Sequence, residues 1–175
     1  VAFYNVENLF DTIKGPNNDD EYLPKSGWTS KKYLKKLDNL SKVIPGIGTN
    51  DQQKESPTII GLCELENRSV LEDLVKTPQM AAKDYGVIHF DSPDFRGIDV
   101  GFLYMKKYFK PTSYKNIPLY IYKTEFASDK KDKGNDDEDD KIETSTKSQR
   151  VYTRDVLLVS GLLEGEEMHF LVNHW

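Results

Sequence analysis

A single cysteine, Cys63, stands among 175 residues. Its isolation excludes an internal disulfide framework and any zinc site built on several cysteines. No apolar run approaches the roughly 18 residues that a membrane span needs, so no spanning helix is expected. Basic charge is not in excess: 24 Lys and Arg against 29 Asp and Glu leave a net of −5. That excludes the cationic surface of a general nucleic-acid coat protein, although a local basic groove stays compatible with it. Much of the deficit is local. Residues 129–141 (DKKDKGNDDEDDK) hold seven acids and four lysines, a net of −3. No internal repeat is visible. What is present is an ordinary core: eight Phe, ten Tyr and two Trp exclude a wholly disordered chain. The length allows one domain.

Along the chain, VAFYNV (1–6) reads as a short buried strand, and the Gly-, Pro- and Asn-rich stretch 11–28 as a loop. Ser30 can cap a helix running to residue 44. Tyr33, Leu34, Leu37, Leu40, Val43 and Ile44 share one face of it, with lysines between them. TIIGLCEL (58–65) is a second buried-type strand. Asn67 or Ser69 can cap a second helix that carries Val70, Leu71, Leu74 and Val75 and is interrupted at Pro78. VIHF (87–90), IDVGFLYM (98–105) and part of 111–122 read as strands, the last demoted to an edge by Pro111 and Pro118. RDVLLVSGLL (154–163) and MHFLVN (168–173) form a hairpin around EGEE. The segment 127–148 is charged and of low complexity, and is expected to be a mobile insertion. About six strands and two helices predict an α/β fold with a mixed or largely antiparallel sheet.

Polar groups at strand ends carry the functional signal. Asn5 and Glu7 sit where the first strand ends, Glu64 and Glu66 where TIIGLC ends, and His174 closes the last strand. In layered α/β folds such positions project into the loops that form a site. Each also has a plainer role open to it. Asn5 can cap a turn, and the two glutamates can be solvated acids in the first turn of the second helix. His174 can be incidental, and Cys63 suits a buried hydrophobe. His89 and His169 have no motif around them and read as structural.

FYNVENLFD (3–11), GLCELEN (61–67), RGIDVGFLY (96–104), TRDVLLVSG (153–161) and HFLVNHW (169–175) occur in that order. Together they closely resemble the endonuclease/exonuclease/phosphatase superfamily. FYNVENLFD with GLCELEN is similar to a bacterial branch of its DNase I-like members. The resemblance implies a four-layer α/β/β/α sandwich, of which residues 1–175 would be about the first half, a single incomplete domain. It implies that Glu64 is the ligand of a divalent ion, Mg²⁺ first and Mn²⁺ or Ca²⁺ as alternatives. Asn5 would help hold that metal and the scissile phosphate, with Glu7 as a further acid near it. His174 would bind a phosphate oxygen or serve the leaving group. Arg154 would contact phosphate, its planar fork suiting that role; its alternative is a surface arginine paired with a neighbour such as Asp155. Arg96 and Asp99 would lie beside the groove.

The implied activity is metal-dependent hydrolysis of a phosphodiester by in-line attack of water, as in a nuclease. A phosphomonoesterase or lipid phosphodiesterase of the same superfamily is the nearest alternative, and a non-catalytic binding module on the same scaffold the other. The partner is nucleic acid or another phosphodiester. The acidic 129–141 segment leans towards a small or single-stranded substrate. The family's G-D-x-N and S-D-H motifs, which supply the base for the attacking water and a second metal-site acid, do not occur here. Val1 opens directly in an apolar segment and Trp175 closes a strand-like run. The expectation is therefore a fragment, inactive alone, whose C-terminal half is supplied by the intact protein or by another chain. An exported or periplasmic location is compatible with the sequence but not specified by it.

Overall fold

The helix expected after Ser30 forms because its apolar residues recur every three to four positions. In the computed structural model, which describes residues 1–16, 19–125 and 147–174, α1 (Ser30–Val43) buries Tyr33, Leu37 and Leu40 and turns its lysines outward. A short 3₁₀ turn at Ile44–Gly46 ends it where Pro45 removes a backbone donor. The remaining elements are β1 (Ala2–Leu9), β2 (Ile59–Leu65), α2 (Arg68–Val75), α3 (Pro78–Ala81), β3 (Tyr85–His89) and β4 (Asp99–Met105). They are followed by β5 (Phe109–Ile117), β6 (Ile121–Glu125), β7 (Lys147–Val151), β8 (Val156–Leu163) and β9 (Glu166–Val172). Asn67 is the N-cap of α2, its side chain accepting from Val70 N at 3.1 Å.

The chain divides into two compact units. Residues 1–119 with 153–175 form one, and 120–152 the other. The second unit contains the antiparallel ribbon β6–β7, in which the Arg150 guanidinium lies 4.4 and 4.7 Å from the rings of Tyr120 and Tyr152. The insertion expected at 127–148 lies outside the described residues, apart from Lys147 and Ser148, which open β7.

The larger unit is layered. One sheet has the order β1–β2–β4–β3, with β1 parallel to β2 and the other pairs antiparallel. A second has the order β5–β8–β9, antiparallel throughout. The helices cover one face of the first sheet, through Leu37, Leu40, Ile44, Leu71 and Leu74 against Ile60, Leu62 and Leu103. The second sheet covers the other face, through Phe109, Leu157, Val159 and Val172 against Ile59, Cys63, Val100 and Phe102. β2 is thus buried on both faces, which is why TIIGLC is continuously apolar. Gly61 packs closely: a Cβ there would stand 3.1 Å from Phe3 and 3.3 Å from Val172.

Three expectations change. β1 is an edge strand, with Phe3 55% exposed, because only β2 pairs with it among the described strands. The β8–β9 loop is two residues, not four or five. Glu164 (φ 49°) and Gly165 (φ 93°) are both left-handed, as a type I′ turn requires, so EE of EGEE belongs to β9. There are nine strands among the described residues; 111–122 alone contributes to two, and Lys147–Val151, which begins at the end of the stretch read as insertion, adds one. Pro111 does sit on an edge, β5, at a register shift. The described residues of the larger unit form a helix layer and two sheets. No described helix is long and apolar enough to cross a membrane.

Candidate functional site

Two bulges on neighbouring strands create the site. Ala2, Tyr4 and Val6 of β1 face the helices in strict alternation, but the next residue to do so is Leu9. Glu7 (φ 54°) and Asn8 (φ 60°) are left-handed extras between them. On β2, Ile60 and Leu62 face the helices and so does Leu65, because Glu64 (φ 63°) is lifted out of the ladder. The pairing Asn5–Cys63 and Leu9–Leu65 puts both bulges at one level. Left-handed backbone costs a non-glycine residue roughly 1–2 kcal/mol. Such residues gather where a side chain must be re-aimed at a functional site.

The re-aimed side chains meet. Asn5 Nδ2 donates to Glu64 Oε1 at 2.9 Å, and Asn5 Oδ1 accepts from Glu7 N at 2.7 Å. Asn5 thus closes the turn, and its amide also engages Glu64. His174, arriving from the end of β9, places Nε2 3.4 Å from the same Glu64 Oε1. The His174 and Glu64 side chains are each 19% exposed. His174 Nδ1 is buried without a hydrogen-bond partner among the described residues. Glu64 is thus not a solvated acid of α2; that helix begins beyond it, capped by Asn67. Carboxylate and carboxamide oxygens on a half-open strand end are the hard donors that Mg²⁺ takes, one or two protein carboxylates with several waters. Glu64, Asn5 and the exposed Glu7 fit that donor set.

Lys36 joins from α1. Its Nζ donates to the Glu7 carbonyl oxygen and lies 6.0 Å from the Trp28 ring centroid. Burial holds its pKa below the usual lysine value, against the opposite pull of Glu7 and Glu64. Sequence reading passed over Lys36 among its neighbours; its half-burial among exposed lysines sets it apart.

Glu66 behaves differently from Glu64. It is 4% exposed, accepts from Asp11 N at 2.9 Å, and its own N donates to Leu9 O. Burial pushes its pKa up to about 7, with Asp11, Asp19 and Asp99 adding to the rise. It ties the two strand ends together beneath the site. Burial and the Glu64 charge likewise raise the Cys63 thiol to about 11, which suits the buried hydrophobe expected of it.

Arg154 does not pair with Asp155. Asp155 accepts from Asn116 Nδ2 at 3.0 Å and from Leu119 N at 3.1 Å. Arg154 Nε instead lies 3.5 Å from Asp94 Oδ2, with the arginine side chain 16% and the aspartate 8% exposed. The charge of Arg154 also reaches Cys63, next to Glu64. Asp94 additionally accepts from Arg96 N and Ile98 N, so it organises the DSPDFRG loop. The Arg96 side chain is exposed. Its charge and that of Glu64 both act on Tyr22, whose pKa is raised first by burial.

Asp99 is buried and does not open to solvent. It is 3% exposed and accepts from His89 Nε2 (3.1 Å), Ser92 N (3.0 Å) and Ser92 Oγ. With Asp91 these groups form a cluster of metal-ligand type, all potential ligand atoms within 4.8 Å. His89 Nε2 and both Asp99 oxygens are already engaged in hydrogen bonds. His169 pairs with Ser160 Oγ at 2.8 Å. Each of these two histidines has a side-chain partner within the fold.

Comparison with known proteins accords with this arrangement. No curated protein matches the chain. A family model described as the endonuclease/exonuclease/phosphatase family matches residues 1–133 and 136–175, a span that includes the two bulged strands, Arg154 and His174. The chain belongs to the endonuclease/exonuclease/phosphatase family.

Proposed function

We propose that this protein is a metal-dependent phosphodiesterase, a nuclease by preference, hydrolysing its substrate by in-line attack of water. One observation carries the reading. Asn5, Glu64 and His174, 59 and 110 positions apart in sequence, converge on a single carboxylate oxygen from two different sheets. A divalent ion at Glu64 would stabilise charge on the phosphoryl oxygens. Asn5 fixes the rotamer of Glu64 and leaves its other oxygen free. Glu7, whose backbone N donates to Asn5, would be a further acid beside that ion. His174 presents Nε2 at the rim, where it holds a phosphate oxygen or delivers a proton to the leaving oxygen. Its Nδ1 has no hydrogen-bond partner among the described residues. Arg154, held by Asp94, offers a guanidinium fork to phosphate.

The base for the attacking water, and a fourth, outer helix layer, belong on this reading to further chain forming a four-layer sandwich. Two things support it. No G-D-x-N or S-D-H motif occurs in residues 1–175, and Leu162 and Leu171 stand 37% and 61% exposed on the second sheet. A 20 kDa species with full activity would refute this part.

The test is hydrolysis of plasmid, single-stranded DNA and p-nitrophenyl phosphate esters with Mg²⁺ and with EDTA. Mg²⁺-dependent diester cleavage that Glu64→Gln abolishes is the expected result. Retained cleavage removes Glu64 as the ligand, and preference for the monoester moves the reading to a phosphatase.

A further inference from the structure

Positive charge is concentrated on one element. α1 carries five lysines and one aspartate, a net of +4 in a chain of net −5. Lys31, Lys32, Lys35 and Lys36 recur at helical spacing and line one side of a groove of about 740 Å³. The other side of the groove is the free edge of β1, including Asn5 and Glu7 of the catalytic cluster. Trp28 stands in the wall, half-buried, its indole Nε1 fixed by the Phe10 and Asp11 carbonyl oxygens at 3.1 and 3.0 Å. Lys31, Lys32 and Lys35 are exposed. Among the described residues Lys35 has one ion-pair partner, the partly exposed Asp38, at 3.1 Å, a contact of little strength in water.

A cationic groove with a rigid aromatic wall, opening at a phosphoester site, has the chemistry of a single-strand channel. Lysines track the backbone and an aromatic face receives a base whatever its sequence. A small phosphodiester would have no use for charges along the helix. We infer that the lysine face of α1 binds the flanking phosphates of a single-stranded polynucleotide whose scissile phosphate lies at Asn5, Glu64 and His174. The inference rests on the proposed phosphodiesterase reading for the position of the scissile group, but the binding it states is measured without turnover.

The experiment compares the wild-type protein with a Lys31→Gln/Lys32→Gln/Lys35→Gln variant and a charge-matched control, Lys54→Gln/Lys110→Gln/Lys115→Gln, whose lysines are exposed outside the groove. Binding of a labelled 20-nucleotide oligothymidylate is followed by fluorescence anisotropy in EDTA across a salt series. The groove variant should bind at least about tenfold more weakly at low salt. Its log–log salt slope should fall by about 2, at about 0.7 for each lost single-strand phosphate contact. The control should stay within about threefold of wild type. An unchanged groove variant, or an equal loss in the control, overturns the inference. A duplex of the same length that binds as tightly as the single strand, with the same sensitivity to the three lysines, overturns the single-strand assignment. Turnover of bis(p-nitrophenyl) phosphate with Mg²⁺ should be the same in wild type and groove variant. If the intact protein, with the further chain that completes the site, turns over no phosphodiester, the phosphodiesterase reading fails, while the anisotropy result still decides whether the groove binds polynucleotide.

Discussion

Two histidine–carboxylate pairs closer than 3.5 Å stand among the described residues, and they differ in almost every respect but their chemistry. His89 and Asp99 are 3.1 Å apart, their side chains 3% and 4% exposed, and both oxygens of Asp99 are engaged. His174 and Glu64 are 3.4 Å apart, both 19% exposed, with one histidine nitrogen unpartnered among the described residues. The first pair lies on regular strands and closes a loop. The second depends on backbone that three non-glycine residues hold in the left-handed region. A satisfied pair on relaxed backbone is architecture. An under-used pair on strained backbone is where the fold has spent stability on something else.

Substitutions can break this contrast, the largest effect first. Glu64→Gln should lower Mg²⁺-dependent diester turnover by about 10³-fold while leaving the urea midpoint nearly unchanged, because it removes charge at the reacting centre and not packing. A large loss of stability instead would make this pair architecture as well. His174→Asn should cost about 10²-fold in kcat, the lower end for a positioned acid or base, with no change in metal requirement.

Glu66 sharpens the comparison, since it is buried like Asp99 but has no histidine. Its folded pKa, about 7, lies above the unfolded 4.5. The folded state therefore binds more protons between those values, and stability falls as pH rises from about 4.5 to about 7. Glu66→Gln should flatten that decline. In EDTA it should exceed wild type by about 2–3 kcal/mol at pH 8 and match it at pH 4, at 1.36 kcal/mol for each pKa unit. Equal urea stabilities at pH 8 would show that the carboxylate is solvated. The mirror of the first experiment is Asp99→Asn. It should destabilise by about 2 kcal/mol, from misfit donors around a buried group, and leave the Mg²⁺ requirement intact.

Much of this was legible before any coordinates. The lysine-spaced helix, the doubly buried β2, the Asn67 cap and the edge role of Pro111 follow from periodicity and from what proline and asparagine do to backbone. Asn5, Glu64 and His174 were legible as residues at strand ends. What brings them together was not. Period-two reading assumes an unbroken ladder, and no glycine marks the bulges at Glu7, Asn8 and Glu64 where that assumption fails. The partners of Arg154 and His89 were also hidden. Asp94 and Asp99 reach them through loop geometry, and local sequence pointed to Asp155, which the Asn116–Leu119 segment already occupies. The two-residue turn at Glu164 was missed for a related reason: its left-handed residue is a glutamate, where Asn or Asp is the usual mark.

Gly61 lies three residues before Glu64, and Val172, which presses on it, two residues before His174. The absent side chain thus acts as a feeler gauge between the sheets. A methyl group at position 61 would force Phe3 and Val172 to give by a few tenths of an ångström. That displacement would be delivered along two rigid strands to the gap between an imidazole and a carboxylate. The spacing of His174 and Glu64 is in this sense gauged within the core, at a residue that has no side chain of its own.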